Sequence, residues 1–447
     1  MEIKNIFLTE IIIFSGIILT LIFYLFTRRI FYFFGIIIIS HLLAVFSEFF
    51  LLKNNIFGNP YFLNFSYETR IFSLILILSS FISILIFLDY IKKEIVKKEV
   101  PFLLLNSLLA MLLLIRSENL FLSFLSLEYL SFTIYIIIAF FKKAELYPEL
   151  ILKYFILGSF SSIFILFGLS LIYLNSGNLG YAFLKEKEVF SLYILSILFL
   201  FTGFAFKVFF VPFHLATPDI FESLPFPVVS FISIPTKISL FGFLFSINKE
   251  ISFDTLSIGI ISVIIMFSSN IILIFEKKLK RIFAFSTLLH SGYILLIFLI
   301  KSKVLFNVLL FCLIIYTVSH SGLLLSLESF NNEEMTLSDL KNKSSFFLSF
   351  ASLFFLLSLI GIPPTGGFYA KFFMLGFIIS EGYEIFAFIT FLNSAISSYY
   401  YIKIAGEMFK GIDRINLRFF KVFLIFILLF FTFLLGIYPQ VLNFLMR

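Results

Sequence analysis

Fourteen long apolar runs leave this chain few ways to fold. They cover residues 5–26, 30–51, 71–90, 101–116, 119–141, 149–174, 190–212, 226–247, 254–275, 281–300, 303–327, 345–379, 383–409 and 419–440. A helix that crosses a bilayer needs about 20 such residues, and only the 101–116 run falls clearly short. Barrel strands would alternate apolar and polar residues, which these runs do not. Composition closes the remaining routes, because 61% of the residues are hydrophobic and 13% charged, against roughly 25% charged in a soluble domain. The expected fold is an all-α polytopic membrane protein of about 14 transmembrane helices. The first run has no small-residue cleavage site and is followed by Arg28-Arg29, so it reads as a span and not a signal peptide. A single cysteine, Cys312, excludes a disulfide framework and a thiolate metal cluster.

The few charges then carry the information. Of 33 lysines and arginines, eighteen follow odd-numbered spans: Arg28, Arg29, Lys92, Lys93, Lys97, Lys98, Lys142, Lys143, Lys277, Lys278, Lys280, Arg281, Lys341, Lys343, Lys410, Arg414, Arg418 and Lys421. Ten fall on the other side, Arg70 and Arg116 among them. The positive-inside rule places the first group in the cytoplasm and both termini outside it. The net charge of +7 therefore reads as topology and headgroup contact, with no nucleic-acid partner implied.

Five lysines fit no loop: Lys153, Lys207, Lys237, Lys371 and Lys403. Glu128 also lies mid-span, and His41, His214, His290 and His320 lie in spans or at their ends. Charge inside a bilayer costs several kcal/mol and marks ion or substrate paths. Lys403, near a span end, also suits a snorkelling side chain. Spacing links these groups in pairs. Glu128 precedes His290 by 162 residues, Lys153 precedes His320 by 167, Lys207 precedes Lys371 by 164, and Lys237 precedes Lys403 by 166. Spans four to eight and nine to thirteen thus form two five-helix units. Five is odd, so the second unit enters the membrane from the opposite side, as in inverted-repeat transporters. The expected organisation is three N-terminal helices in 1–100, a first repeat in 101–247, a second in 254–409 and a last helix in 410–447.

Helix breaks follow the same repeat. Gly203 and Pro212 flank Lys207 in span seven, and Gly361, Pro363, Pro364, Gly366 and Gly367 precede Lys371 in span twelve. Proline removes a backbone donor and clashes with the preceding turn. Within a membrane such breaks persist where protein or cavity water satisfies the backbone. Pro235 adds a smaller kink beside Lys237.

Desolvation makes a lysine shed its proton, and a nearby carboxylate makes it keep one. A Glu–Lys pair whose separation changes is therefore a proton switch. Glu128 with Lys207 suits that role, with Lys237 as next acceptor, His290 as a relay that titrates near neutrality, and Lys371 as the exit-side store. Span hydroxyls such as Ser162, Ser286 and Tyr293 can support water, or simply bond the preceding helical turn. No nucleotide loop, HExxH or CxxC pattern occurs, so no metal or redox cofactor is expected in this chain.

The run Lys207-Val208-Phe209-Phe210-Val211-Pro212-Phe213-His214-Leu215-Ala216-Thr217-Pro218-Asp219 resembles the most characteristic segment of the antiporter-like subunits of respiratory complex I, NADH-quinone oxidoreductase. Its Thr217-Pro218-Asp219 variant is similar to the subunit N family. Further similar segments are Leu127-Glu128, Leu152–Ser162 with Lys153, Pro225–Val228, Arg281–Ser286 with His290–Tyr293, and Gly361–Phe368 with Lys371-Phe372. Ala216 stands where tryptophan is usual, Ser223-Leu224 where glycine and alanine are usual, and Pro235 intrudes before Lys237. The chain ends at Arg447 without the long lateral helix of the largest such subunit.

The resemblance implies broken helices seven and twelve and a place in a proton-pumping membrane arm. It implies protonation changes at Glu128, Lys207, Lys237 and Lys371, with Lys153, His290 and His214 as relay or coupling candidates. It also implies a multi-pass protein of the bacterial cell membrane, neighbouring other membrane-arm subunits and lipid. FMN and iron–sulfur clusters would belong to partner subunits, with NADH and quinone as substrates of the whole complex. Two alternatives stay open: a subunit of a multi-chain sodium/proton antiporter, and an inert spacer between neighbours.

Overall fold

The computed structural model describes residues 6–27, 29–60, 62–92, 96–141, 147–182, 190–207, 217–251, 254–330, 335–342, 345–410 and 418–440. The regular elements among them are helices, joined by a few isolated bridges. The chain divides into two compact units. The first is Met1–Ala216 with Phe231–Ser252, and the second is Thr217–Ser230 with Phe253–Arg447.

The first unit contains α1 (Leu8–Phe26), α2 (Ile30–Lys53), α3 (Tyr67–Lys92), α4 (Glu99–Arg116), α5 (Leu120–Phe140), α6 (Tyr147–Ser176) and α7 (Phe190–Lys207). The segment Thr217–Ser223 forms a short helix, α8, which belongs to the second unit. After it α9 (Phe226–Ser233) leads back into the first unit, where α10 (Pro235–Glu250) follows. The second unit continues with α11 (Thr255–Phe275), α12 (Leu279–Leu296), α13 (Leu305–Glu328), α14 (Phe346–Ile360), α15 (Gly366–Ser380), α16 (Glu384–Met408) and α17 (Phe419–Ile437).

Among the described residues twelve stretches are long and apolar enough to cross a membrane, counting α9 and α10 as one. The helix α7 and the half-helices α14 and α15 supply the other two expected spans. The 101–116 run, short in sequence, gains Glu99 and Val100 and becomes α4 (Glu99–Arg116). In the first unit α4 is buried along most of its length, against α5, α10 and α1. In the second, α12 holds the centre, packed on α11 and α8. Lipid-type side chains such as Phe14, Phe46, Phe160, Phe388 and Phe426 cover the outer faces.

Local sequence explains the ends. Asn119, Asp254 and Ser345 cap α5, α11 and α14 with side-chain oxygens that accept from Phe121 (2.8 Å), Ser257 (3.0 Å) and Leu348 (3.3 Å) backbone N–H groups. Such caps satisfy donors that the first helical turn leaves over. The helix α14 stops at Gly361, whose φ of +89° favours glycine. Gly203 serves another purpose. A Cβ there would lie 2.9 Å from the Ile165 nitrogen and 3.0 Å from the Ser161 carbonyl oxygen. The missing side chain lets α6 and α7 approach closely, the usual use of small residues between membrane helices.

Three features differ from the sequence expectation. Pro235 does more than kink its span: α9 ends at Ser233 and a new helix starts at Pro235. The segment Thr217–Ser223, expected as loop, is helical. Arg70 and Arg116, counted as loop charges, are fully buried within α3 and α4. Lysine and arginine counts alone missed the carboxylates that allow this.

Candidate functional site

Glu128 lies nine residues beyond the Asn119 cap, on the α5 face that meets α6. Lys207 is the last described residue of α7. The Lys207 Nζ donates to Glu128 Oε1 at 2.9 Å, and Ser162 Oγ on α6 donates to the same oxygen at 2.6 Å. The lysine side chain is 6% exposed and the glutamate 19%. One carboxylate thus receives both a charged and a neutral donor. Its charge is satisfied in place, and that carboxylate holds the lysine.

Lys237 is buried in the first turn of α10, after Pro235. A cation there opposes the helix dipole. Natural sequences break such local rules chiefly at functional or strained sites. Lys153 and Lys403 lie on the outer surface of their units and are not core charges. The exposure of Lys403 agrees with a snorkelling side chain near a span end, whereas Lys153, expected inside its span, points away from its helix's packing face. His214, with Val208–Ala216 around it, lies outside the described residues.

In the second unit the repeat partners of Glu128 and Lys207 also meet. His290 on α12 and Lys371 on α15 line one cavity of about 40 Å³, with Tyr293, Cys312, Tyr316 and Ser358. That volume has room for at least one water. Lys371 Nζ donates to the Ile360 carbonyl at 2.7 Å and to Ser394 Oγ at 2.8 Å, and lies 4.5 Å above the Tyr293 ring centre. Ile360 is the last residue of α14. Its carbonyl is one of those that a helix end leaves without an intrahelical partner. The break expected from Gly361–Gly367 therefore creates an acceptor, and the lysine on the next half-helix uses it.

An aromatic file leads from there. Ring centres are 5.7 Å apart between Tyr293 and His290, 5.6 Å between His290 and Tyr316, and 5.1 Å between Tyr316 and His320. The Tyr401 hydroxyl lies 3.4 Å from His290 Nε2 and also bonds the Ser286 hydroxyl. Titratable side chains thus stand side by side within this unit. Among the described residues no cluster of histidine, cysteine and carboxylate groups is arranged to hold a metal.

Sequence reasoning missed one buried cluster altogether. Arg116 pairs with both Glu10 and Glu48, and Arg70 Nη1 pairs with Glu48 Oε2 at 3.3 Å. Arg70 Nε also donates to the Ile56 carbonyl at 2.9 Å, and Arg116 Nε to Ser73 Oγ at 3.2 Å. Both guanidiniums lie over the Phe65 ring, at 5.3 and 4.8 Å from its centre. The signal was present: Glu10 and Glu48 sit inside the first two apolar runs. The Lys421–Glu328 pair in the second unit was missed for the same reason.

Residues 117–397 match the family model described as "NADH:quinone oxidoreductase/Mrp antiporter, TM". The chain is 33% identical over 350 residues to "NADH-quinone oxidoreductase subunit N 2" of Thermodesulfovibrio yellowstonii, covering 77% of each chain. Its fold is similar to a chain of respiratory complex I from Thermus thermophilus, with a TM-score of 0.84, 22% identity and 98% of both chains covered. It is equally similar to a chain of the Mrp complex from Dietzia, with a TM-score of 0.85, 16% identity and coverage of 99% and 96%.

Proposed function

The chain belongs to the NADH-quinone oxidoreductase subunit N branch of the NADH:quinone oxidoreductase/Mrp antiporter family, and we propose that its buried Glu, Lys and His residues move the protons. It is a multi-pass membrane subunit of a proton-pumping NADH:quinone oxidoreductase, with other membrane-arm subunits as neighbours. NADH oxidation and quinone reduction take place in partner subunits, and flavin and iron–sulfur clusters belong to those partners. The membrane is that of a bacterial cell, with both termini on the non-cytoplasmic side.

One observation carries the proton-transfer reading: Lys207 is held by Glu128 at 2.9 Å in a buried pair. The carboxylate favours the protonated lysine while the two are in contact. Movement that separates the two leaves a desolvated lysine, which then releases its proton. Lys237, buried at the mouth of the next helix, accepts it. In the second unit Lys371 and His290 share a cavity with room for water, and Tyr293, Tyr316 and His320 extend the file. Lys153 serves a neighbouring subunit from the outer surface, and His214, beyond Lys207, couples the path to the following segment. The residue ranges 1–100, 101–247, 254–409 and 410–447 are the corresponding entry helices, two repeats and closing helix.

Two readings compete. The likeness to the Mrp chain keeps a sodium/proton antiporter subunit in view, and the family branch favours the redox-driven pump. An inert spacer would have no use for a buried lysine at a helix N-terminus. The test is Lys237→Met in the intact complex in sealed vesicles. Proton uptake per NADH oxidised should fall at least severalfold in complexes that assemble normally. Near-normal uptake would favour the spacer, and uptake driven by sodium but not by NADH would favour the antiporter.

A further inference from the structure

Several sequence motifs have no part in the proton path just described. The Thr217-Pro218-Asp219 and Pro225–Val228 segments and the basic run at Lys278–Arg281 all meet within the second unit. Arg281 Nη1 donates to Asp219 Oδ1 at 2.9 Å and to Glu222 Oε2 at 3.1 Å, while its Nε donates to Glu276 Oε2 at 3.1 Å. Lys278 pairs with Glu222 from the other side. Lys280 is nearly wholly buried, 5% exposed. Its Nζ donates to the Leu224 carbonyl at 2.6 Å, just past the end of α8, and lies 4.9 Å over the Phe226 ring centre.

A buried lysine is an expensive way to satisfy one carbonyl. Topology does not require it either, since a lysine counts toward the positive-inside rule equally well from an exposed loop position. Lys277, in the same loop, is so exposed. Lys280 instead closes the C-terminal end of α8, where free carbonyls and the negative end of the helix favour a cation. Exposed ion pairs are individually weak, but Arg281 ties two acids of α8 to Glu276 in one fork, the geometry in which arginine differs from lysine.

The place of the clamped segment gives this meaning. Residues 217–230 belong to the second unit, while the chain on both sides belongs to the first. On one side it follows α7, which carries Lys207. On the other, α9 runs from Phe226 to Ser233, and α10 starts at Pro235 with Lys237 in its first turn. An eight-residue helix is about 12 Å long, so only one short rigid element separates the Lys280 grip from Lys237. Lys280 holds the N-terminal end of α9, and the chain runs on through Ile234 into α10.

We propose that Lys280 and Arg281 are positioning residues for proton transfer, clamping the segment that joins the two lysine-bearing helices. This rests on the reading that Lys207 and Lys237 carry protons. The experiment measures protons moved per electron in the intact complex in sealed vesicles, normalised to assembled complex. It compares Lys277→Met, Lys280→Met, Arg281→Gln, Arg281→Lys and Lys207→Met. The clamp predicts an unchanged ratio for Lys277→Met and a drop of about twofold or more for Lys280→Met and Arg281→Gln. Arg281→Lys should keep more than half of the ratio. The proposal is overturned if Arg281→Gln and Lys280→Met lower only the amount assembled, or if Lys277→Met lowers the ratio equally. Should Lys280→Met not assemble, the partly exposed Arg281 decides alone. An unchanged ratio in Lys207→Met would instead overturn the proton-carrying reading itself.

Discussion

The first unit holds two clusters of buried charge built in opposite ways. In the quartet Glu10–Arg116–Glu48–Arg70 the charges alternate in sign, and each guanidinium has further neutral acceptors and a ring beneath it. The cations are arginines, which do not give up protons in proteins. The Glu128–Lys207 cluster has one carboxylate, one lysine and one serine. Its cation is the residue type whose charge responds to desolvation. Burial of charge does not by itself mark a pathway. The proposed path runs through the titratable lysine, while the arginine lattice joins α1 and α2 to α3 and α4.

The largest effect on stability should come from breaking the lattice. Arg116→Met strands Glu10 and Glu48, at a cost of about 3–5 kcal/mol. The protein should then be depleted from membranes and melt earlier in detergent. Replacing all four charges with apolar residues of similar size should recover most of that loss, since a buried pair rarely outperforms good apolar packing. If Arg116→Met melts normally, the quartet is not a structural pin. A smaller loss, about 1–3 kcal/mol, is expected of Gly203→Leu, whose side chain would wedge α6 from α7. Transport per assembled complex should also fall, because α7 carries Lys207 four residues on. Glu128→Gln should change melting less than Arg116→Met, since the amide oxygen can still accept from Ser162 and Lys207. Transport by this variant should nevertheless fall severalfold, and full transport would remove the pair from the path.

The fold was legible in the sequence because membrane insertion leaves so few options. Apolar runs gave the spans, and Gly361–Gly367 with Lys371 gave the broken helix in the right place. Glu128 and Lys207, 79 residues apart in sequence, were singled out together because both are ionisable within apolar runs. What stayed hidden depended on packing directions that no count of charges contains. Lys153 looks as internal as Lys237 in sequence, and only the rotation of its helix distinguishes it. Arg70 and Arg116 sit at span edges, where loop and core read alike, until Glu10 and Glu48 are found opposite them. The helix Thr217–Ser223 was unreadable as a helix because seven residues give too little periodicity.

Proton uptake per NADH oxidised, measured in sealed vesicles holding Lys207→Met beside a variant with all four quartet charges made apolar, tests the central contrast most directly. The account predicts that Lys207→Met assembles and loses most of its proton uptake, while the quartet variant that assembles keeps its full ratio. Full uptake by Lys207→Met, or a lost ratio in a stably assembled quartet variant, would contradict it.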